Sequence, residues 1–139
     1  MNELLKPKLI DCATHLDGRG ALGVIEGDQL PFSIKRIYYL YDTPKDIVRG
    51  EHGHKKLEQI MISMHGMCDV TLNDGTNEYH FHLDSPKVGL YVPPGMWRSI
   101  KFGAQQSILC VLASRPYEVE DYLYTFEDFS AWALNKDSD

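Results

Sequence analysis

Apolar and polar residues alternate along most of this chain with the two-residue period of half-buried strands, and turn residues interrupt the alternation every ten positions or so. Lys8 to Ala13 reads as a first strand, and Asp17-Gly18-Arg19-Gly20 as the turn into a second at Ala21 to Glu26. Phe32 to Tyr41 is β-branched and aromatic; its alternation puts Arg36, Tyr38 and Leu40 on one face and Ile37, Tyr39 and Tyr41 on the other. Ile60 to Met64 follows and turns at His65-Gly66. Met67 to Leu72 and Glu78 to Leu83 flank Asn73-Asp74-Gly75-Thr76, and an Asp-Gly between alternating runs is a strong hairpin signal. Val88 to Val92 closes in Pro93-Pro94-Gly95, and Trp97 to Phe102 and the apolar Ser107 to Ser114 supply two more strands. Only the tail changes period. Phe126, Phe129 and Ala133 fall at i, i+3 and i+7 behind Thr125 as N-cap, which predicts a short helix over about 126–135. Asn135 to Asp139 are polar and expected to fray. Regularly spaced strands with one terminal helix predict an all-β sandwich or barrel, a single domain over 1–139 without linker or repeat.

Charge and composition narrow the classes of function. The net charge is −6 and the 14 basic residues form no run, which argues against nucleic acid as a partner. No apolar stretch is long enough to span a membrane, and Met1 to Lys6 carries no export signal. Cys12, Cys68 and Cys110 are odd in number and lie in or beside apolar stretches, the pattern of reduced thiols in a cytoplasmic protein.

Chemistry concentrates between Arg49 and Gln59. If that segment is extended, His52 and His54 share a face, flanked by Arg49, Lys55, Lys56 and the pair Glu58-Gln59. His80 and His82 alternate on the polar side of the Asp-Gly hairpin, where a solvated face explains them. Trp97 is expected in the core, and Tyr117, Tyr122 and Tyr124 are expected to pack the terminal helix.

His52-x-His54, Gln59 and Gly66, with Gly89, Pro93-Pro94-Gly95 and Arg98 downstream, resemble the two sequence motifs of the cupin superfamily, and the strand count fits its double-stranded β-roll (jelly roll). In metal-binding cupins the ligands are the two histidines, a glutamate and a later histidine. Here Gln59 and Arg98 occupy the last two places. Arg98 has no lone pair to offer and Gln59 brings no charge, so no metal is expected. Glu58 is one residue out of register and faces the other way. What remains is two inward imidazoles beside Arg36, Arg49 and Tyr38, a site for proton transfer with cationic handles.

Pro31 to Tyr39, Arg49 to Gln59, Leu83 to Pro86, Gly89 to Val92 and the stretch from Leu112 through Asp121-Tyr122 further resemble the sugar 3,4-ketoisomerases within that superfamily. The resemblance implies a metal-free, cofactor-independent isomerase that moves the ketone of dTDP-4-keto-6-deoxyglucose from C4 to C3 through an enediol, on the way to 3-amino sugars of surface polysaccharides. A neutral imidazole is basic enough to take a proton acidified by an adjacent ketone. By carry-over His54 is the base, His52 its proton-shuttling partner and Tyr38 a further catalytic group, although the sequence does not order the two histidines. Gln59 and Tyr38 orient the sugar, Arg19, Arg36 and Arg49 are candidates for the pyrophosphate, and Arg98 joins the substrate-binding set. The resemblance also implies a cytoplasmic homodimer with the N-terminal strand as the segment to exchange. A 3- or 5-epimerase of the same nucleotide sugar, or a sugar-binding cupin without activity, are the alternatives.

Overall fold

The computed structural model describes residues 6–136. Twelve strands form: β1 (Lys8–Asp11), β2 (Ala13–Asp17), β3 (Gly20–Val24), β4 (Arg36–Thr43), β5 (Val48–His54), β6 (Gln59–His65), β7 (Cys68–Asn73), β8 (Glu78–Leu83), β9 (Val88–Val92), β10 (Met96–Phe102), β11 (Ser107–Ala113) and β12 (Tyr122–Leu123). Helix α1 (Phe126–Lys136) follows. One sheet has the order β1-β9-β6-β11-β4 and the other β12-β5-β10-β7-β8, with β2-β3 as a separate ribbon. All pairings are antiparallel, and the two large sheets make the two layers of a cupin β-roll.

The alternation in the sequence decides what lies between the layers. Met61, Leu90, Leu109 and Val111 from the first sheet meet Val70, Leu72, Ile100 and Phe102 from the second. The outer face of the first sheet is covered too, because Ile60, Ile62, Tyr91 and Leu112 pack under Ile25, Leu30 and Phe32. Phe32, read from propensity as strand, packs over that face instead, and the regular strand begins only at Arg36, just after Lys35 gives its N–H to Ala113 O at 2.8 Å. The Asp-Gly hairpin forms as expected, and the Asp74 carboxylate accepts from the backbone N–H groups of Thr76 and Asn77 at 2.8 and 2.6 Å.

Helix α1 begins where the sequence predicts, the Thr125 hydroxyl accepting from the Asp128 N–H at 3.1 Å. It extends through Asn135 and Lys136, which the sequence places in the fray; residues 137–139 and the start of the chain, 1–5, lie outside the described residues. Phe129 is fully buried against β5, and Trp97, expected in the core, is half-buried against the helix, edge-on to Phe126 and tilted to Phe129.

Gly66 turns β6 into β7 at φ +76°, and a Cβ there would stand 2.9 Å from Ser107 Cα. Gly66→Ala is therefore expected to lower stability by roughly 1–3 kcal/mol, read from urea unfolding midpoints at constant m-value.

Candidate active site

Five strands line one cavity of about 280 Å³, room for a single sugar ring but not for a whole nucleotide sugar. Strand β4 contributes Arg36, Tyr38 and Leu40, on one face as alternation predicts. Met61 follows on β6, Arg98 and Ile100 on β10, Arg49, Gly50 and His52 on β5, and Tyr122 on β12, while Gln59 on β6 is buried behind the lining. Plain alternation would turn Arg49 away from Gly50 and His52. A bulge overrides it: Arg98 faces His52 while Ile100 faces Arg49, so Gly50 and Glu51 together oppose Ser99. Gly50 absorbs the distortion at φ +78°.

The two imidazoles belong to one chain of hydrogen bonds. His54 is 1% exposed, and its Nδ1 lies 3.0 Å from Asp121 Oδ2; its Nε2 lies 3.1 Å from His52 Nε2. Asp121 also accepts the backbone N–H of Lys56 (2.7 Å) and Leu57 (3.3 Å). Burial pushes the Asp121 carboxyl up, but the hydrogen bonds from His54, Lys56 and Leu57 hold it below the usual range, so it is ionised and only accepts. His54 Nδ1 must then carry the proton, its Nε2 accepts, and His52 Nε2 donates. The basic atom left at the end of the chain is His52 Nδ1. Burial, then Arg98 and His54, pull the His52 pKa down to about 3; burial pulls His54 to about 4 against the opposing Asp121. Both rings are neutral at ordinary pH.

A row of donors runs from Arg98, the cross-strand neighbour of His52, to Gln59 and Tyr38 on the facing sheet. Arg98, 1% exposed, donates from Nη1 to Gln59 Oε1, and Gln59 Nε2 donates to the Tyr38 hydroxyl at 2.7 Å. The amide of Gln59 is thus fixed in direction, and the Tyr38 proton is free to point elsewhere. Burial raises the Tyr38 pKa and keeps it a phenol. Arg98 Nε and Nη2 and Arg36 Nε are buried without partners. A buried cation with unused donors and no carboxylate against it is costly unless an anion arrives. Among the described residues no group of three or more His, Cys, Asp or Glu is placed to share a metal ion.

The structure brings together seven of the eight predicted residues: His52, His54, Tyr38, Gln59, Arg36, Arg49 and Arg98. Arg19 is elsewhere, 90% exposed at the tip of the β2–β3 hairpin with its guanidinium on Asp17 at 2.7 Å. Two residues that the sequence reading passed over belong to the site. Asp121 closes a 3-10 turn (Val119–Asp121) that carries no periodic signal. Tyr122, expected against the helix, pairs with His54 across β12 and β5, packs edge-on to its ring with centroids 4.3 Å apart, and lines the cavity. His80 and His82 are exposed on β8, as expected.

If Asp121 fixes the His54 tautomer, Asp121→Asn is expected to lower kcat about 10²-fold with little change in KM, because an amide NH2 turned toward Nδ1 reverses every donor in the chain. Steady-state kinetics on folded protein would show it; a loss confined to KM would contradict that role.

The chain is similar to known proteins of one family. A family model, FdtA (WxcM-like, C-terminal), matches residues 5–133. The chain is 40% identical over 129 residues to a TDP-4-oxo-6-deoxy-alpha-D-glucose-3,4-oxoisomerase of Aneurinibacillus thermoaerophilus, covering 92% of this chain and 93% of the relative. It is similar in structure to a 3,4-ketoisomerase from Helicobacter canadensis (TM-score 0.89, 38% identity, 94% and 98% of the two chains). A histidine-to-asparagine variant of the ketoisomerase QdtA from Thermoanaerobacterium thermosaccharolyticum, in complex with TDP-4-keto-6-deoxyglucose, is similar too (TM-score 0.88, 37% identity, 94% of each chain).

Proposed function

Because the chain belongs to the FdtA family, whose compared members are sugar 3,4-ketoisomerases, we propose that it moves the ketone of dTDP-4-keto-6-deoxy-D-glucose from C4 to C3. The observation that supports it is the hydrogen-bonded series Asp121–His54–His52 meeting the donors Arg98, its neighbour on β10, and Tyr38, on the facing sheet, at one cavity. Base and oxyanion donors line the same sugar-sized space.

The steps balance as follows. His52 Nδ1 takes the proton from C3; the C–H electrons form C3=C4, and the carbonyl electrons move to O4. Arg98 Nη2 and Nε and the Tyr38 hydroxyl offer donors to that oxyanion. Tyr38 passes its proton to O4 and recovers one from the hydroxyl on C3. The electrons on O3 then form the new ketone, and C4 takes the proton from His52. The positive charge on His52 in the interval is shared through His54 toward Asp121, which offsets the burial that otherwise disfavours it. No electron leaves the sugar, so no redox cofactor is needed. This order differs from the carry-over reading: His52 lines the cavity and His54 stands behind it, so His52 is the base and His54 the partner. Arg36 and Arg49 at the same cavity take the pyrophosphate.

We extend the reading to assembly and place. The chain acts as one cupin domain over 1–139 in a homodimer, and Arg19 reaches a pyrophosphate only from a second copy. Leu16 and Leu22 on its hairpin are 75% and 62% exposed, and edge strand β4 leaves Ile37, Tyr39 and Tyr41 in solvent. A monomeric mass by light scattering at micromolar concentration removes this part. The cytoplasm suits the free thiols of Cys12, Cys68 and Cys110, and no helix of the described residues is long and apolar enough to cross a membrane.

NMR of dTDP-4-keto-6-deoxyglucose with metal-stripped protein in deuterated water tests the activity. The expected product carries its ketone at C3, and deuterium at C4 reports exchange on His52. Deuterium at C3 or C5 without migration of the ketone indicates an epimerase, and no change at all a binding protein.

A further inference from the structure

We propose that Tyr122 is a positioning residue whose ring holds His52 in place and stabilises the imidazolium that His52 becomes in mid-reaction. The inference rests on the ketoisomerase reading and adds a group to its proton-transfer series. Tyr122 lies level with His54 where β12 pairs with β5, so its side chain shares the face of both imidazoles and lines the same cavity. Its ring centroid stands 5.1 Å from that of His52, with the planes 37° apart, and 4.3 Å from that of His54, at 65°. Rings lying side by side in one plane cannot bring their centroids as close as 5.1 Å, so the faces of Tyr122 and His52 overlap in part.

A base that is neutral at rest must carry a positive charge between the two proton transfers. At this site the charge is opposed, because burial and the Arg98 guanidinium both disfavour it. Asp121 helps only from the far side of His54, through two hydrogen bonds. The negative face of an aromatic ring supplies what is missing beside His52 itself, since a cation within about 6 Å of a ring centroid is attracted to it. It does so without an anion in the cavity, where a carboxylate would pair with Arg98 and weaken the oxyanion donors. Consecutive residues thus serve the two ends of the series, Asp121 as the counter-charge and Tyr122 as the ring.

The ring is itself held. Tyr124 stacks on it at 5.3 Å with the planes 11° apart, and Tyr117 packs against it at 5.4 Å. Both are more than half exposed and form the outer layer of this aromatic cluster. A neutral imidazole gains little from the contact and an imidazolium gains more, so the ring acts on the reaction rather than on binding.

Tyr122→Phe and its mono-, di- and trifluorinated phenylalanine analogues test this in the full-length protein. They keep the size of the ring nearly constant, while each fluorine weakens its negative face. Single-turnover rates of ketone migration in dTDP-4-keto-6-deoxyglucose are expected to fall stepwise along the series, by about 10-fold in all, while the Kd for TDP stays within about twofold. Tyr122→Leu, which removes the ring, is expected to lose at least as much, and Tyr122→Phe to restore most of it. Rates that stay level from the phenylalanine to the trifluoro variant overturn the inference, because a ring that only fills space does not respond to fluorine. A loss of about 10²-fold already in Tyr122→Phe overturns it too, by assigning the role to the hydroxyl. If the unaltered protein isomerises the sugar and the series is level, the role of Tyr122 alone is wrong. If the unaltered protein isomerises nothing, the ketoisomerase reading falls and this inference with it.

Discussion

A His52→Asn variant is expected to bind TDP within about twofold of the parent and to lose about 10³-fold in kcat, the scale of a positioned general base. The nucleotide contacts assigned to Arg36 and Arg49 are untouched by the change, and asparagine occupies a similar volume, so the fold has no reason to respond. What disappears is the one basic nitrogen that the hydrogen-bond series leaves at the cavity. The depressed pKa of His52, about 3, means that it is already neutral in the free enzyme across ordinary pH, and no proton has to be lost before the base can act. Titration calorimetry with TDP and single-turnover kinetics separate the two effects. A kcat within tenfold of the parent would move the base to another residue.

Gln59→Glu is expected to cost 10²- to 10³-fold in kcat, including in the presence of a chelator. The substitution changes one heavy atom, yet it reverses the direction of the hydrogen bonds between Arg98, Gln59 and Tyr38. The amide donates to Tyr38 from Nε2 and accepts from Arg98 at Oε1. A carboxylate can only accept, so the Tyr38 hydroxyl would turn its proton away from the cavity, and Arg98 would gain the counter-charge it now lacks. Both donors meant for the oxyanion are weakened at once. Glutamate is also what metal-binding cupins carry at this place in the motif, which is why the assay is run in chelator. Because Tyr38→Phe removes one of the same donors, the double variant is expected to be little worse than the poorer single one. Unimpaired turnover by the Gln59→Glu protein in chelator would show that the amide sets nothing.

The residues of the site that the sequence revealed are those fixed by strand periodicity. Arg36 and Tyr38 share a face because two residues separate them, and the same holds for His52 and His54. The two substitutions in the cupin motif, Gln59 and Arg98, were legible as departures from metal ligation, but their bond to each other was not, since they lie 39 residues apart and meet only when β6 and β10 face across the roll. Asp121 was illegible for a different reason. It sits in a 3-10 turn without alternation, one acidic residue among Glu118 and Glu120, and only its three hydrogen-bond partners mark it. Arg19 shows the converse limit: a guanidinium near the right sequence neighbours says nothing of where a two-stranded ribbon will carry it. The start of β4 was set four residues early because propensity at Phe32 to Lys35 could not reveal that the other face of the sheet needed a cover.

The bond between His54 and Asp121 spans 67 residues. During synthesis the ribosome delivers both imidazoles, and the strands that frame them, well before the carboxylate that orients them. A nascent chain extended to Ala113 holds nearly every cavity-lining side chain but has no fixed tautomer at His54. Competence therefore comes late in the order of synthesis, when the turn at Asp121 docks and Tyr122 pairs with β5. Chains that stop short or misfold late stay inert toward a reactive keto sugar, a check on completeness written into the order of synthesis.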